Sequence, residues 1–319
     1  MVLKRGDKGT AVGKLQSLLG IAVDNKFGSD TEVALRSYQK ANGLDPDGVC
    51  GSQTAEKLGF RIEDYISTDL KTSSSSPSKT LPAAVSSYQT SQGLTIFKSY
   101  LDNDEYVAGK KGVDKEWLVL HHTAGGHNPF ATISQWNNDT RGRIATQFVI
   151  GGISTTNGDA THDGSVVECF PDADWAYHLG ENGSSALHPQ SIGIEICNWG
   201  YLEERDGKFF NYVNKEVPAS MVCDLGYKFC GKQYYHKYTT KQIDSLIKLI
   251  FEIERRHPKI NMRSGLVDWL RTEHPSKVFS FRPEAYKGQV KGILSHTNIR
   301  SDKSDVFPQP ELVSALKNL

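Results

Sequence analysis

The chain has 319 residues, 38% of them hydrophobic and 23% charged, enough for a well-buried core and more than one domain. Lysine plus arginine equals aspartate plus glutamate at 37 each, so no global field recruits a polyanion and nucleic acid is not an expected partner. No run reaches the roughly 18 apolar residues of a membrane helix, and the opening MVLKRGDKGT lacks a signal-peptide core.

Membrane insertion is therefore not expected, and synthesis in the cytoplasm without a signal peptide is. Five scattered cysteines, Cys50, Cys169, Cys197, Cys223 and Cys230, are odd in number and fit reduced thiols better than a disulfide framework. Only Cys223 and Cys230 are close enough in sequence to suggest a pair.

In chain order, residues 1–60 come first and carry an internal echo. DNKFGSDT (Asp24–Thr31) and DGVCGSQT (Asp47–Thr54) share the pattern DxxxGSxT. In each copy Gly28 or Gly51 supplies a tight turn, and a Ser or Thr follows where a helix needs its N-cap. Between the copies, Val33, Ala34, Tyr38 and Ala41 recur near helical spacing, with Gly43 placed to end the helix. Ahead of them, Val12, Leu15 and Leu19 repeat the pattern with Gly20, so a three-helix domain is expected.

LKRGDKGTAVGKLQSLLG and VDNKFGSDTEVALRSYQKANGLDPDGVCGSQTAEKL resemble the peptidoglycan-binding domain 1 family over residues 2–58. The resemblance implies a module that grips bacterial cell wall without catalysing anything. Asn25 stands where that family usually has Gly, and Asn tolerates positive φ. Residues 61–95 then turn Ser/Thr-rich, with Pro77 and Pro82 and no sustained apolar period. They read as a flexible linker to a larger domain over 96–319.

EWLVLHHTAGG opens that domain with a buried strand ended by Thr and glycines. Because side chains alternate along a strand, His121 shares a face with Val119 and Trp117, and His122 shares the other with Leu118 and Leu120. Only one of the pair points into a given site. In SIGIEIC, Ile192, Ile194 and Ile196 take one face and Gly193, Glu195 and Cys197 the other. THDGSVVECF carries a DG turn and predicts a hairpin beside the strand QFVIGG. TTKQIDSLIKLIFEIERRHP is the clearest helix. Thr239 and Gln242 suit a capping box, Ile243, Leu246, Ile247, Ile250 and Ile253 make its apolar stripe, and Pro258 ends it. Strands interleaved with helices imply an α/β fold, a mixed central sheet flanked by helices.

Near the far end, GILSHTNIRSDKSDVF leaves the core at His296 and delivers Lys303 and Asp305. A hydrolytic zinc site takes three neutral-imidazole or anionic ligands and keeps a fourth position for water. His121, His296 and Asp305 would make such a set, although widely separated His and Asp are common in any chain of this size.

LVLHHTAGG, SIGIEICNWG and HTNIRSDKSD together resemble the type 2 N-acetylmuramoyl-L-alanine amidases, zinc enzymes related to phage amidases and to peptidoglycan recognition proteins. The resemblance spans residues 117–307, with an unfamiliar insertion between Tyr201 and Tyr235. It implies one Zn2+ held by His121, His296 and Asp305, with Glu195 as general base and then acid, and Lys303 stabilising an oxyanion. Relatives place a histidine like His178 along the substrate groove, so His178 is expected to contact substrate. His122 and Thr146 are placed with it as neighbours of the bound substrate; Thr146 stands where some relatives use Tyr, and Gln147 where relatives often carry His.

A monomer of two modules is expected, a wall-binding domain tethered to a zinc amidase acting on bacterial peptidoglycan, as in a phage endolysin reaching the wall after release. A non-catalytic recognition protein and an amidase for soluble muropeptides in recycling are the rivals.

Overall fold

The computed structural model describes residues 3–44, 46–60, 86–102, 105–109, 113–139, 143–180 and 187–319. The chain divides into two compact units with the boundary between residues 79 and 80. Among the described residues no helix is long and apolar enough to cross a membrane.

The first unit contains α1 (Thr10–Leu18), α2 (Ser29–Ala41) and α3 (Ser52–Lys57) around Leu3, Val12, Leu15, Phe27, Leu35 and Cys50. Each helix ends on a left-handed glycine, Gly20, Gly43 or Gly59, with φ near 70°. The next amide then reaches back to the final turn, as Ile21 N to Gln16 O at 3.1 Å, Leu44 N to Gln39 O at 2.9 Å and Phe60 N to Ala55 O at 3.1 Å.

The repeated octapeptide is organised by a residue outside it. Gln16 sends its amide group to Asp24 Oδ1 (2.6 Å), Lys26 O (2.8 Å) and Thr31 Oγ1 (3.0 Å), while its oxygen accepts from the amides of Asp24 and Asn25. Gln39 does the same to Asp47 Oδ1 (2.8 Å), Val49 O (3.0 Å) and Thr54 Oγ1 (3.3 Å), and accepts from Gly48 N. Asn25 has φ 61° and its counterpart Gly48 has φ 74°, so the turn survives the Asn. Two expectations are corrected here. The buried stripe of α2 is Thr31, Leu35 and Gln39, whereas Val33 is 64% exposed, because the glutamine must face the loop it satisfies. Gly28 and Gly51 themselves hold the N-cap positions, with no side-chain cap.

Of the expected linker over 61–95, residues 61–85 lie outside the described residues. Its last stretch is not linker. β1 (Ser87–Gln89) and β2 (Thr95–Lys98) form an antiparallel hairpin in which Tyr88 faces Ile96. The polar composition belongs to an edge strand and its turn, while Leu94 and Ile96 are buried.

The second unit is built on a seven-stranded mixed sheet in the order β1-β2-β5-β4-β6-β3-β12, completed by β3 (Trp117–His122), β4 (Phe148–Ile150), β5 (Val166–Glu168), β6 (Ser191–Ile196) and β12 (Gly292–Ser295). β12, β3, β6 and β4 run parallel, and β4 pairs antiparallel with β5 as the DG turn predicts. Leu118, Leu120, Ile192, Ile194 and Ile196 pack one face against the long helix α5 (Thr240–Arg256), whose Thr239–Gln242 capping box is present. Its buried stripe includes Leu249, with Ile247 only partly buried. The other face carries α4 (Pro129–Trp136), capped by Asn128.

The insertion folds as its own five-stranded antiparallel sheet, order β10-β11-β7-β8-β9. Its strands are β7 (Tyr201–Arg205), β8 (Lys208–Phe210), β9 (Glu216–Val217), β10 (Val222–Phe229) and β11 (Lys232–His236). All five cysteines are free, Cys223 and Cys230 included.

Candidate metal centre

Register decides which histidine of the pair faces the site. β3 and β6 are parallel neighbours with His121 opposite Glu195 and His122 opposite Ile196, so His121 and Glu195 stand side by side on one face. β12 lies on the other side of β3 with Ser295 opposite Leu120, which brings His296 level with His121 just beyond the strand end.

His296 begins a single helical turn, α6 (His296–Ile299). A reciprocal Ser295–Asn298 capping box holds it, and Asn298 Nδ2 also donates to Val278 O (2.7 Å) and Ser280 O (2.8 Å). Asp305 is held by the segment after it. Phe307 is sandwiched between Tyr235 at 4.4 Å and Tyr238 at 4.5 Å between ring centroids, both nearly parallel to it. Gln309 exchanges two hydrogen bonds with the backbone of Tyr238, and Thr297 N donates to Asp305 O at 3.0 Å, which ties the segments of His296 and Asp305 together.

Three acceptor atoms converge. His121 Nδ1 lies 3.0 Å from His296 Nδ1 and 3.4 Å from Asp305 Oδ2, and His296 Nδ1 lies 3.0 Å from the same oxygen. All three residues are buried. A tetrahedral zinc with bonds of about 2.0–2.1 Å spaces its ligands by roughly 3.3–3.4 Å, close to this triangle. One proton can bridge one pair of these atoms, whereas three lone-pair donors around a common point suit a divalent cation. Among the described residues this is the one cluster of such side chains able to hold an ion.

A hydrogen-bond chain runs out behind His121. Its Nε2 meets His178 Nδ1 at 3.0 Å, His178 Nε2 meets Ser191 Oγ at 2.7 Å, and Ser191 Oγ donates to His188 O. A carbonyl only accepts, so Ser191 receives the proton of His178 Nε2, His178 Nδ1 receives that of His121 Nε2, and His121 Nδ1 is left as a bare lone pair facing the triangle. This tautomer is the one a metal ligand needs.

Electrostatics follow from burial. Burial, with the neighbouring His296, pushes His121 down to about 4, so it stays a neutral donor. For Asp305 burial opposes ionisation, yet the imidazoles of His296 and His121 hold it well below the usual carboxylate range. Burial and the charge of Asp305 push Glu195 well above that range, opposed by Lys303. Glu195 Oε2 is buried with no hydrogen-bond partner among the described residues. The Lys303 ammonium is near enough to lower the proton affinity of both His121 and Glu195. The carboxylate opens on a cleft of about 460 Å3 lined by Thr123, Gly125, Gly126, Thr132 and Trp136.

The three expected substrate contacts, His178, Thr146 and His122, are all buried among hydrogen-bond partners of their own. His178 is buried and spends both ring nitrogens on His121 and Ser191, so it orients His121 from behind. Its ring and Thr146 lie over Gly193, where a Cβ would come within 2.8 Å of Thr146 Cγ2 and 3.0 Å of His178. Thr146 is 1% exposed and donates to Phe148 O. His122 points to the opposite face, bonded to the Tyr238 hydroxyl at 3.0 Å and packed against Phe307. Gln147 bonds Asp172, away from the triangle. Cys197 is buried and its thiol is pushed up to about 12 by burial, which favours the neutral thiol at neutral pH. Ser191, Tyr238 and Phe307 were not legible as part of the site, because nothing in their spacing links them to it.

Residues 112–306, more than half of the chain, match the N-acetylmuramoyl-L-alanine amidase family, and residues 10–58 match a peptidoglycan binding domain family. A 67-residue stretch is 36% identical to an uncharacterized protein in the bpoA1 3' region of Kitasatospora aureofaciens, covering 19% of this chain and 57% of that one. Among solved structures, the N-acetylmuramyl-L-alanine amidase AmiD from E. coli aligns at 20% identity over 47% of each chain, with a TM-score of 0.28. AmpDh3 from Pseudomonas aeruginosa aligns at 21% identity over 67% of this chain and 65% of its own, TM-score 0.36. The Ph2119 endolysin from a Thermus scotoductus bacteriophage aligns at 12% identity over 70% of this chain and 98% of its own, TM-score 0.35. The chain thus spans about half the length of the Kitasatospora protein and of AmiD.

Proposed function

Since the chain belongs to the N-acetylmuramoyl-L-alanine amidase family, we propose that it is a zinc-dependent cell-wall hydrolase that cuts the amide between the lactyl group of N-acetylmuramic acid and L-alanine. The observation that carries this reading is the triangle of His121 Nδ1, His296 Nδ1 and Asp305 Oδ2, with Glu195 beside it on the next strand. His121, His296 and Asp305 would hold the ion.

Zinc, when bound, polarises the scissile carbonyl and makes water acidic enough to attack at neutral pH. Glu195 takes the proton of the attacking water and returns it to the departing alanine nitrogen. Glu195 stands beside His121 with Oε2 buried and without a hydrogen-bond partner among the described residues, which leaves it free for both halves of that transfer. Lys303 supplies positive charge where the carbonyl oxygen becomes negative. His178 and Ser191 keep His121 in its donor tautomer throughout.

The N-terminal unit gives the enzyme a second hold on the wall, raising its local concentration at an insoluble polymer. That pairing favours whole wall over soluble fragments as substrate, and a role like that of a phage endolysin. A recognition protein that binds without cutting has no use for a complete triangle with a buried glutamate beside it. Mass analysis of products from purified sacculi tests the assignment. A new L-alanine amino terminus on intact glycan strands is expected, and cleaved glycosidic bonds would reject it.

A further inference from the structure

The inserted sheet is rooted at the site. Asn198, three residues beyond Glu195, donates through Nδ2 to His236 O at 2.7 Å, and Trp199 N donates to His236 Nδ1 at 3.2 Å, so both ends of the insertion are pinned together. At its far end the β8–β9 turn is closed by Asn211, whose side chain accepts from Lys215 N at 2.8 Å, with Asn214 at φ 59°. This turn presents Tyr212, 53% exposed, and Val213, 45% exposed. The Tyr212 hydroxyl donates to Ala124 O at 2.8 Å, between Thr123 and Gly125, which line the cleft of Glu195. Its ring lies 6.1 Å from the half-buried Trp199. The ring is thus fixed at its hydroxyl, with about half of the residue open to solvent at the mouth of the cleft.

We propose that Tyr212, buttressed by Trp199, whose ring is tilted 58° to it, offers a stacking platform for a sugar ring of the glycan strand adjoining the muramoyl residue whose amide is cut. The inference rests on the amidase reading above. A pyranose presents a face of C–H groups rimmed by hydroxyls, which suits an electron-rich aromatic surface. The stem peptide, with its carboxylates and amines, suits instead the ionisable lining of the cleft itself, His127, Asp139 and Glu195. The platform makes the inserted sheet a specificity element, recognising polymer beside the bond that the metal centre breaks.

Kinetics on two soluble substrates test it: a muramoyl peptide without neighbouring sugars, and a glycan oligosaccharide that carries stem peptides. Tyr212→Ala is expected to raise KM on the oligosaccharide about tenfold, the loss typical of truncating one aromatic anchor, with kcat little changed and the muramoyl peptide unaffected. Tyr212→Phe, which keeps the ring but loses the hydrogen bond to Ala124, should fall between the native chain and Tyr212→Ala on the oligosaccharide. A second arm needs no turnover. All five tryptophans lie at or beyond residue 117, so their fluorescence reports the catalytic unit, and a peptide-free N-acetylglucosamine tetrasaccharide should perturb it with an affinity that Tyr212→Ala weakens. Equal losses on both substrates, a Phe variant as impaired as the Ala variant, or tetrasaccharide affinity unchanged by Tyr212→Ala would overturn the platform. A native chain that binds the tetrasaccharide but cuts neither substrate would instead overturn the amidase reading and leave the platform standing.

Discussion

The two polar constructions of this chain are opposites in range. In the N-terminal unit, Gln16 and Gln39 each organise a loop within 15 residues of themselves, twice over, with the same partners at the same offsets. In the catalytic unit the triangle joins His121 to His296 across 175 residues and depends on sheet register, a capped helical turn and an aromatic stack. A local construction repeats in sequence and fails alone. A long-range one leaves no repeat, and every element that positions it is a point of failure.

The largest expected effect lies on the long-range side. Asp305→Ala leaves two imidazoles without their anion, and activity on sacculi should fall by about a thousandfold or more, with zinc lost on dialysis. Retained zinc and activity would mean that the third ligand lies elsewhere. Glu195→Gln should lower turnover by about 10²–10⁴ while zinc content stays at the native level, which separates proton transfer from metal binding. His178→Ala touches neither cleft nor ion, yet zinc affinity measured by chelator competition should drop about 10–100-fold, as loss of the group orienting a ligand does. An unchanged affinity would remove the His178–Ser191 chain from the site.

The local side gives smaller effects confined to one unit. Gln39→Leu leaves Asp47, Thr54 and the amide of Gly48 without their partner and should cost about 1–3 kcal/mol. Hydrogen exchange should show that loss over residues 3–60 only, with turnover of a soluble muramoyl peptide unchanged. Smallest is a pH effect. The Gln16 side chain holds Asp24 below 3.8, and the backbone amide of Val49, then the Gln39 side chain, hold Asp47 there too. Carboxylates with depressed values stabilise the fold above the ordinary value, and that contribution is lost as pH falls through the lower, folded one. Protection factors in this unit should therefore fall below about pH 4, and the fall should be smaller in Gln39→Leu, where Asp47 has lost one of the partners that depress it.

The same contrast explains what the sequence disclosed. Strands β3 and β6 and helix α5 were legible because apolar side chains repeat at periods of 2 and 3.6, and alternation alone put His121 and His122 on opposite faces. The octapeptide echo was visible, but its glutamines were not, since glutamine is ordinarily a surface residue and the misplaced face of α2 followed from that. The ligand set was reached through resemblance, because no periodicity connects residues 121, 296 and 305. His178 was assigned to the groove for the same reason: sequence placed it near the site, and only the hydrogen bonds of its two nitrogens put it behind His121. The edge hairpin over 87–98 was hidden by composition, as solvent-facing edge strands share the polar residues of linkers.

The most direct test is zinc absorption spectroscopy on the full chain after equilibrium dialysis, with metal content measured in parallel. One zinc per chain, bound by two imidazole nitrogens and otherwise by oxygen, with no sulfur, is the expected result. A sulfur ligand, substoichiometric zinc, or undiminished lysis after exhaustive chelation would contradict the metal centre described above.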